Sequence, residues 1–194
     1  MTADPDYHIE ERDIMRVCLI DLAPDIPEYN DRAESYMQSI INLNPQIILI
    51  NGLSPKEYTL IGGLSNHGTL TYGDYHKSRG ESAPCVNAIW VAPNIEVRGQ
   101  RTIRISKMMD NGTEIVLAPD GINVTIYHRG RTVDLFCYES IQGAFHGAAR
   151  TTVATIINKE AYMTKKTRPD SLLVMGANMH AESDSQSVRY IEGK

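Results

Sequence analysis

The segment around residues 72 to 76 contains side chains that can bind a metal ion or act on a substrate. Asp74 and His76 supply a carboxylate and an imidazole, and Tyr72 and Tyr75 lie beside them. Carboxylates and imidazoles are common ligands of divalent metals. The simpler interpretation of the same residues is a solvated polar loop, because the surrounding segment is rich in glycine and shows no clear hydrophobic period.

Other reactive side chains show no catalytic spacing. Cys18, Cys85 and Cys137 form no Cys-x-x-Cys pair and lie in apolar, strand-like segments, so we expect buried reduced thiols. No serine lies in a Gly-x-Ser-x-Gly frame, and the sequence contains no Walker-type or dinucleotide-binding glycine loop. Asn178 and His180 directly follow an apolar run, where either side chain can line a pocket.

Composition limits the classes to which the protein can belong. A chain of 194 residues that is 42% hydrophobic predicts one domain with a full core, with polar tails at residues 1–13 and 181–194. The net charge of -5 argues against nucleic acid held by bulk electrostatics, although it permits a local basic patch. Without a secretory signal or an apolar run of roughly 18 residues, we expect an intracellular protein with no membrane contact.

The order of predicted elements indicates an α/β fold. Residues 14–22 and 46–50 are apolar on both faces and flank a helix that begins after Asp31, which makes a strand, helix, strand unit. Residues 62–82 are expected to form a long loop. Short strands separated by glycine turns follow from Val86, and a helix over residues 147–166 precedes the last strand. Two mostly antiparallel sheets packed face to face with helices outside, a four-layer α/β sandwich, would bury these segments.

Three strand ends resemble motifs of the endonuclease/exonuclease/phosphatase superfamily, the DNase I-like phosphoesterases. Residues 16–22, RVCLIDL, are similar to a first strand that carries an Asn in that family, and residues 45–52, PQIILING, are similar to a strand that ends in Gln-Glu. Residues 176–179, GANM, are similar to Gly-Asp-x-Asn. The resemblance implies a DNase I-like fold, in a degenerate and C-terminally truncated member. The family's functional positions hold Asp21, Asn51, Gly52, Ala177 and Met179.

What the resemblance implies for chemistry follows from those positions. In the family, the Glu of Gln-Glu is the main carboxylate ligand of Mg²⁺, and the Asp of Gly-Asp-x-Asn helps to orient the nucleophile. Here the two positions are Gly52 and Ala177. Asp21 is the one change that adds a carboxylate, and a single carboxylate binds Mg²⁺ poorly. The resemblance therefore implies a scaffold that has lost its catalytic centre and needs no cofactor.

Two main hypotheses about function remain. The first is a catalytically inactive scaffold that acts as a structural or protein-interaction protein, binding another protein or copies of itself through the segment with Tyr72, Tyr75 and His76. A viral or phage origin, with the protein as a virion component, is a further hypothesis. The alternative is a Mg²⁺-dependent phosphodiesterase or nuclease with relocated catalytic residues. A third possibility is a ligand sensor that binds its ligand in the cleft where the family has its catalytic centre. The relocated residues would be Asp21, Asp74, His76, Asp134 and Glu139.

Overall fold

The computed structural model describes residues 15–22, 33–53, 68–73, 86–140 and 147–178. Within these ranges the chain forms ten strands and two helices. The helices are α1 (Ala33–Asn42) and α2 (Gly147–Thr167). The strands are β1 (Val17–Asp21), β2 (Ile47–Leu53), β3 (Thr69–Tyr72), β4 (Val86–Val91), β5 (Glu96–Ile103), β6 (Ser106–Met108), β7 (Glu114–Val116), β8 (Gly121–His128), β9 (Arg131–Glu139) and β10 (Leu172–Asn178).

Eight of these strands form two four-stranded sheets. The first sheet has the order β1-β2-β4-β3, the second has the order β10-β9-β8-β5, and β6 pairs with β7 in a separate ribbon. The pairs β1-β2 and β9-β10 are parallel, whereas the other pairs in both sheets are antiparallel. Each parallel pair is joined by a helix crossover, as parallel neighbours require.

Strand alternation divides the apolar side chains among three layers of packing. On β2, Ile47 and Leu49 face the second sheet, and Ile48 and Ile50 face the outer side, where Ile40 of α1 packs. On the outer side of the second sheet, Phe136 and Tyr138 pack against α2. The order of layers is therefore helix, sheet, sheet, helix, as the sequence predicts.

The prediction of one long loop over residues 62–82 is wrong for residues 69–72, which form β3. Leu70 packs against the core beneath the first sheet, and Thr71 Oγ1 donates a hydrogen bond to Gln100 Oε1 at 2.7 Å. The glycines around the strand obscured it, and Gly68 is required by packing. A Cβ at Gly68 would lie 2.5 Å from the carbonyl oxygen of Val91.

Neither described helix meets the length and hydropathy needed to cross a membrane.

Candidate functional site

The space between the two sheets is apolar along most of its length and polar at one end. Leu49 and Leu135 belong to the core between the sheets. Two residues further along β2, and four further along β9, the same faces present Asn51 and Glu139. The same alternation on β1, β4 and β10 places Asp21, Asn87 and Asn178 at this end. We call these five residues the polar rim: Asp21, Asn51, Asn87, Glu139 and Asn178.

Both parallel strand pairs end at the polar rim. Asp21 is the register partner of Asn51, and Glu139 is the register partner of Asn178. The amide of Asn178 donates a hydrogen bond to the Asp21 carboxylate and so joins the two sheets. Asp21 is exposed at the mouth of the rim, whereas Glu139 is buried. The fold therefore brings two carboxylates, 118 positions apart in sequence, to one end of the sandwich.

Asn51 is the centre of a buried amide network. Its Nδ2 lies 2.8 Å from Asn87 Oδ1, 2.9 Å from the Tyr138 carbonyl oxygen and 3.4 Å from Cys137 Sγ. Asn87 in turn donates to the Asp120 carbonyl oxygen at 3.0 Å. Both side chains are completely buried. Because buried amides need partners, this network holds the polar end of the two sheets together.

Replacing Asn51 with Ala is expected to lower the free energy of unfolding by about 2 kcal/mol, because the substitution leaves buried acceptors without a donor. Urea denaturation measures the change. Asn111→Ala is the matched control, because Asn111 Oδ1 accepts one hydrogen bond from the Thr113 amide in an exposed turn. We expect the control to cost roughly 0.5 kcal/mol. Equal losses of unfolding free energy in the two variants would show that the buried network contributes no more stability than an exposed hydrogen bond.

Gly52 occupies a backbone position that excludes a side chain. Its φ is +71°, and a Cβ there would lie 2.2 Å from the carbonyl oxygen of Leu22. The pairing of β2 with β4 also shifts register between Ile50 and Leu53, so Gly52 lies within a bulge. A carboxylate at this position is therefore incompatible with the local backbone and with the chain packed over it.

Ala177 is on the opposite face of β10 from Asn178. Its methyl group packs with the core beneath α2, whereas Val174, on the same face as Asn178, belongs to the core between the sheets. Of the two positions at which the motif comparison expects a catalytic carboxylate, one has no room for a side chain and the other points away from the polar rim.

The structure separates Asp134 from Asp21 and Glu139, the other described residues of the alternative catalytic set. Asp134 lies five positions before Glu139 on β9 and on the opposite face, which places it roughly 16 Å away along the strand. Its carboxylate accepts hydrogen bonds from Arg168 Nη2 at 2.6 Å and from Thr125 Oγ1 at 2.7 Å. Asp134 is therefore not part of the polar rim, and its place in the catalytic set is corrected.

The remaining candidate residues divide between the rim, the edge of the first sheet and the undescribed part of the chain. Asp21 and Glu139 lie at the rim. Tyr72 ends β3 with 46% of its surface exposed. Residues 74–76 and 179, which include Asp74, Tyr75, His76 and Met179, lie outside the described residues.

Among the described residues of the rim, Asp21 and Glu139 are the carboxylates that could contact the Mg²⁺ ion that the resemblance implies. Mg²⁺ requires near-octahedral oxygen ligands, usually with carboxylates among them. Among the described residues, no three His, Cys, Asp or Glu side chains are grouped closely enough to hold a metal ion. Gly52 supplies no ligand, and the amide nitrogen of Asn178 is directed at the Asp21 carboxylate.

The described cysteines are free thiols, and Cys137 is chemically inert. Its Sγ donates to the Ile50 carbonyl oxygen at 3.3 Å, and burial raises the pKa of the thiol to about 12. A thiol that stays protonated is a poor nucleophile. Cys18 is only half-buried, so the prediction of full burial is wrong for it, and Cys85 lies outside the described residues.

Asn87 is a member of the site that no sequence motif identified. The available signal was one polar residue in the otherwise apolar run VNAIWV, at a position that alternation places on the same face as Ile89. A single buried Asn in a covered strand needs a partner. That partner is Asn51, which no feature of the local sequence identifies.

Solved structures share this fold. The human nocturnin catalytic domain, determined with bound sulfate, matches with a TM-score of 0.77 and 15% identity, over 91% of this chain and 67% of that one. TDP2 from C. elegans matches with a TM-score of 0.72 and 13% identity, over 88% of this chain and 49% of that one. An endonuclease/exonuclease/phosphatase from Bacteroides vulgatus matches with a TM-score of 0.72 and 12% identity, over 93% of this chain and 71% of that one.

These matches confirm the predicted DNase I-like α/β sandwich. The chain spans about half the length of TDP2 from C. elegans and two thirds of the nocturnin domain. No protein-family model and no curated protein matches the sequence. At identities of 12% to 15%, the likeness concerns the fold.

Proposed function

We propose that this DNase I-like chain is a catalytically inactive scaffold that acts by binding, as a structural or protein-interaction protein. The observation that carries the proposal is the backbone at Gly52, where a positive φ and the Leu22 carbonyl leave no room for a side chain. Residues that act as a unit in catalysis lose nearly all activity when one is removed. A glycine at the end of β2, where no side chain fits, therefore supports a site that does not hydrolyse phosphodiesters.

The proposed partner is another protein or a second copy of the chain. Tyr72 is the described part of the candidate contact segment, and it presents a half-exposed aromatic ring at the end of β3. Tyrosine provides a large contact area at low cost in conformational entropy. The setting that this proposal implies is intracellular, or a virion if the chain is viral. Light scattering on the purified protein measures self-association directly.

A second candidate function is a metal-dependent phosphodiesterase with relocated ligands. The observation in its favour is the convergence of Asp21 and Glu139 at the polar rim, at the end of two parallel strand pairs. One of the similar solved structures is named an endonuclease/exonuclease/phosphatase. Mg²⁺ is commonly bound by one or two carboxylates, and amide oxygens, water or substrate phosphate would have to complete its coordination here.

Hydrolysis assays distinguish the two functions. We expect no metal-dependent turnover of bis(p-nitrophenyl) phosphate or of supercoiled plasmid in Mg²⁺ or Mn²⁺, because the described rim lacks the grouped ligands needed to polarise a phosphoryl oxygen. Calorimetric titration of the same metals checks binding separately. Asp21→Asn and the turn variant Asp110→Asn form a matched pair. Turnover that disappears in Asp21→Asn and persists in Asp110→Asn would overturn the inactive-scaffold proposal.

A further inference from the structure

A surface pocket lies at the end of the second sheet opposite the polar rim. It has a volume of about 480 Å³ and is formed by the turn between β8 and β9 and by the connection from α2 to β10. Arg131 and Glu139 are eight positions apart on β9, which separates the pocket from the rim by roughly 26 Å. Its lining includes Arg131, Thr132, Arg168, Pro169, Asp170 and Leu172.

One wall of the pocket is a guanidinium group held in a fixed position. Arg168 Nη2 donates to Asp134 Oδ1 at 2.6 Å, and its Nε donates to Asp134 Oδ2 at 3.1 Å. Asp134 is completely buried, so this two-point contact orients the planar group from behind. Within the described part of the chain, Nη1 of Arg168 has no hydrogen-bond partner. Nη2 also lies 3.3 Å from Thr125 Oγ1, so Nη1 is the nitrogen that Arg168 retains for a ligand.

A second arginine faces the same space from the adjacent hairpin. Arg131 begins β9 and pairs with His128 across a two-residue turn, in which Arg129 and Gly130 have φ values of 51° and 77°. Such turns hold the flanking strand residues in a fixed register. Arg131 is exposed and makes no ion pair with any residue in the described ranges.

The charges around the pocket favour an anion. Lys165 Nζ donates to the carbonyl oxygens of Pro169 and Ser171, which fixes the connection to β10 and adds a third positive charge. The pocket lining contains two arginines, Arg131 and Arg168, and one carboxylate, Asp170. Arg168 is paired with the buried Asp134, so that Arg131 and the nearby Lys165 together with Asp170 leave the region with one net positive charge. This local excess of positive charge contrasts with the net charge of -5 for the whole chain.

We propose that this pocket binds a small organic anion. A phosphate or carboxylate group of the ligand accepts hydrogen bonds from Arg131 and Arg168, and the apolar part of the ligand packs against Pro169 and Leu172. The guanidinium fork of Arg131 matches the paired oxygens of both anions, and Nη1 of Arg168 adds a further charged donor. Leu172 is 46% exposed, which leaves an apolar surface open beside the two arginines. Two arginines in one concave site suit a single anionic group better than a polynucleotide backbone, which needs an extended basic surface.

Calorimetric titration with phenyl phosphate and with benzoate, in a buffer free of phosphate, tests the site and distinguishes the two anions. Benzyl alcohol serves as the neutral ligand. We expect the wild-type protein to bind at least one anion and not the alcohol. Arg131→Ala should weaken binding by at least about tenfold, because a charge-assisted hydrogen-bond donor is lost, and Arg131→Lys should weaken it less. Lys107→Ala, which removes an exposed charge on β6, should leave the affinity unchanged.

Three outcomes would overturn the proposal. They are no binding of either anion by the wild-type protein, equal affinity in Arg131→Ala, and binding of an oligonucleotide that depends on Arg131 when neither small anion binds. Circular dichroism checks that Arg131→Ala, which changes an exposed side chain, is still folded. The test is independent of the proposed function, since Asp21→Asn decides hydrolysis at the polar rim and should leave anion binding at this pocket unchanged.

Discussion

The substitution Gly52→Glu, which introduces a carboxylate at the end of β2, is expected to destabilise the protein without producing hydrolysis. A side chain at this position would meet the Leu22 carbonyl oxygen at 2.2 Å and would adopt a φ of +71°, which non-glycine residues avoid. The combination of backbone strain and overpacking should cost about 3 kcal/mol or more. Urea denaturation measures the free energy of unfolding, and the phosphodiester assay measures turnover.

Gly112 provides the control that separates strain from packing. It also has a positive φ, of 79°, but no atom lies within 4 Å of its Cβ position. Gly112→Ala should therefore cost only about 1 kcal/mol of stability, from backbone strain alone. Gly52→Ala should cost more, because it adds a clash to the backbone strain. If Gly52→Ala lowers the free energy of unfolding no more than Gly112→Ala does, the backbone around Leu22 shifts to accommodate the added methyl group. That result would contradict the claim that position 52 has no room for a side chain.

Removal of Arg168 is expected to be the most damaging change to a charged side chain. Arg168→Met leaves the Asp134 carboxylate buried, with 0% of its surface exposed and without its cation, which should cost about 3–5 kcal/mol. The double variant Asp134→Leu with Arg168→Met should lose less, because no lone charge remains. Glu96→Gln is the control: it breaks an exposed pair with Arg98 and should cost under about 1 kcal/mol.

The same pair predicts how stability depends on pH. Burial raises the pKa of Asp134, but hydrogen bonds from Arg168, Thr125 and Ser171 outweigh burial and leave the pKa below its usual value of 3.8. A carboxyl with a lowered pKa in the folded state stabilises the protein above its unfolded pKa and loses that contribution as the pH falls through the folded value.

Denaturation titrations between about pH 5 and pH 2 measure this contribution. The free energy of unfolding of the wild-type protein should fall on acidification, and the double variant should show a smaller fall. Identical pH profiles for the two proteins would show that Asp134 does not contribute to acid sensitivity.

Residues 46–50 could be identified as a covered strand because their apolar side chains occupy both alternating faces, a pattern that requires burial on both sides. The same pattern in residues 14–22 predicted a strand correctly, but β1 lies at the edge of its sheet and is not fully covered, since Leu19 is 49% exposed. The parallel arrangement of the first pair followed from the helix between them. The sequence also predicted the helix over residues 147–166 almost to the residue, because its apolar positions repeat at helical spacing. Strands and helices of this kind depend on residues a few positions apart, so the local sequence is enough to predict them.

The polar rim could be predicted only in part. Asp21, Asn51 and Glu139 stand at or next to the ends of predicted strands, so they were recognisable as candidates. The motif comparison marked Ala177 and Met179, whereas the structure directs Asn178 to Asp21 and turns Ala177 toward α2. A shift of one position along a strand end exchanges the two faces, and only the register of the finished sheet decides it.

The sequence by itself determined the layered class of fold, the strand ends that meet at one edge, and the absence of carboxylates at Gly52 and Ala177. Tertiary structure alone decided that Gly52 has no room for a side chain, that Asp134 pairs with Arg168 on the far face, and that Asn87 completes the buried network. The physical reason is distance along the chain. These contacts join residues 30 to 36 positions apart, and no local propensity specifies which pairs pack together.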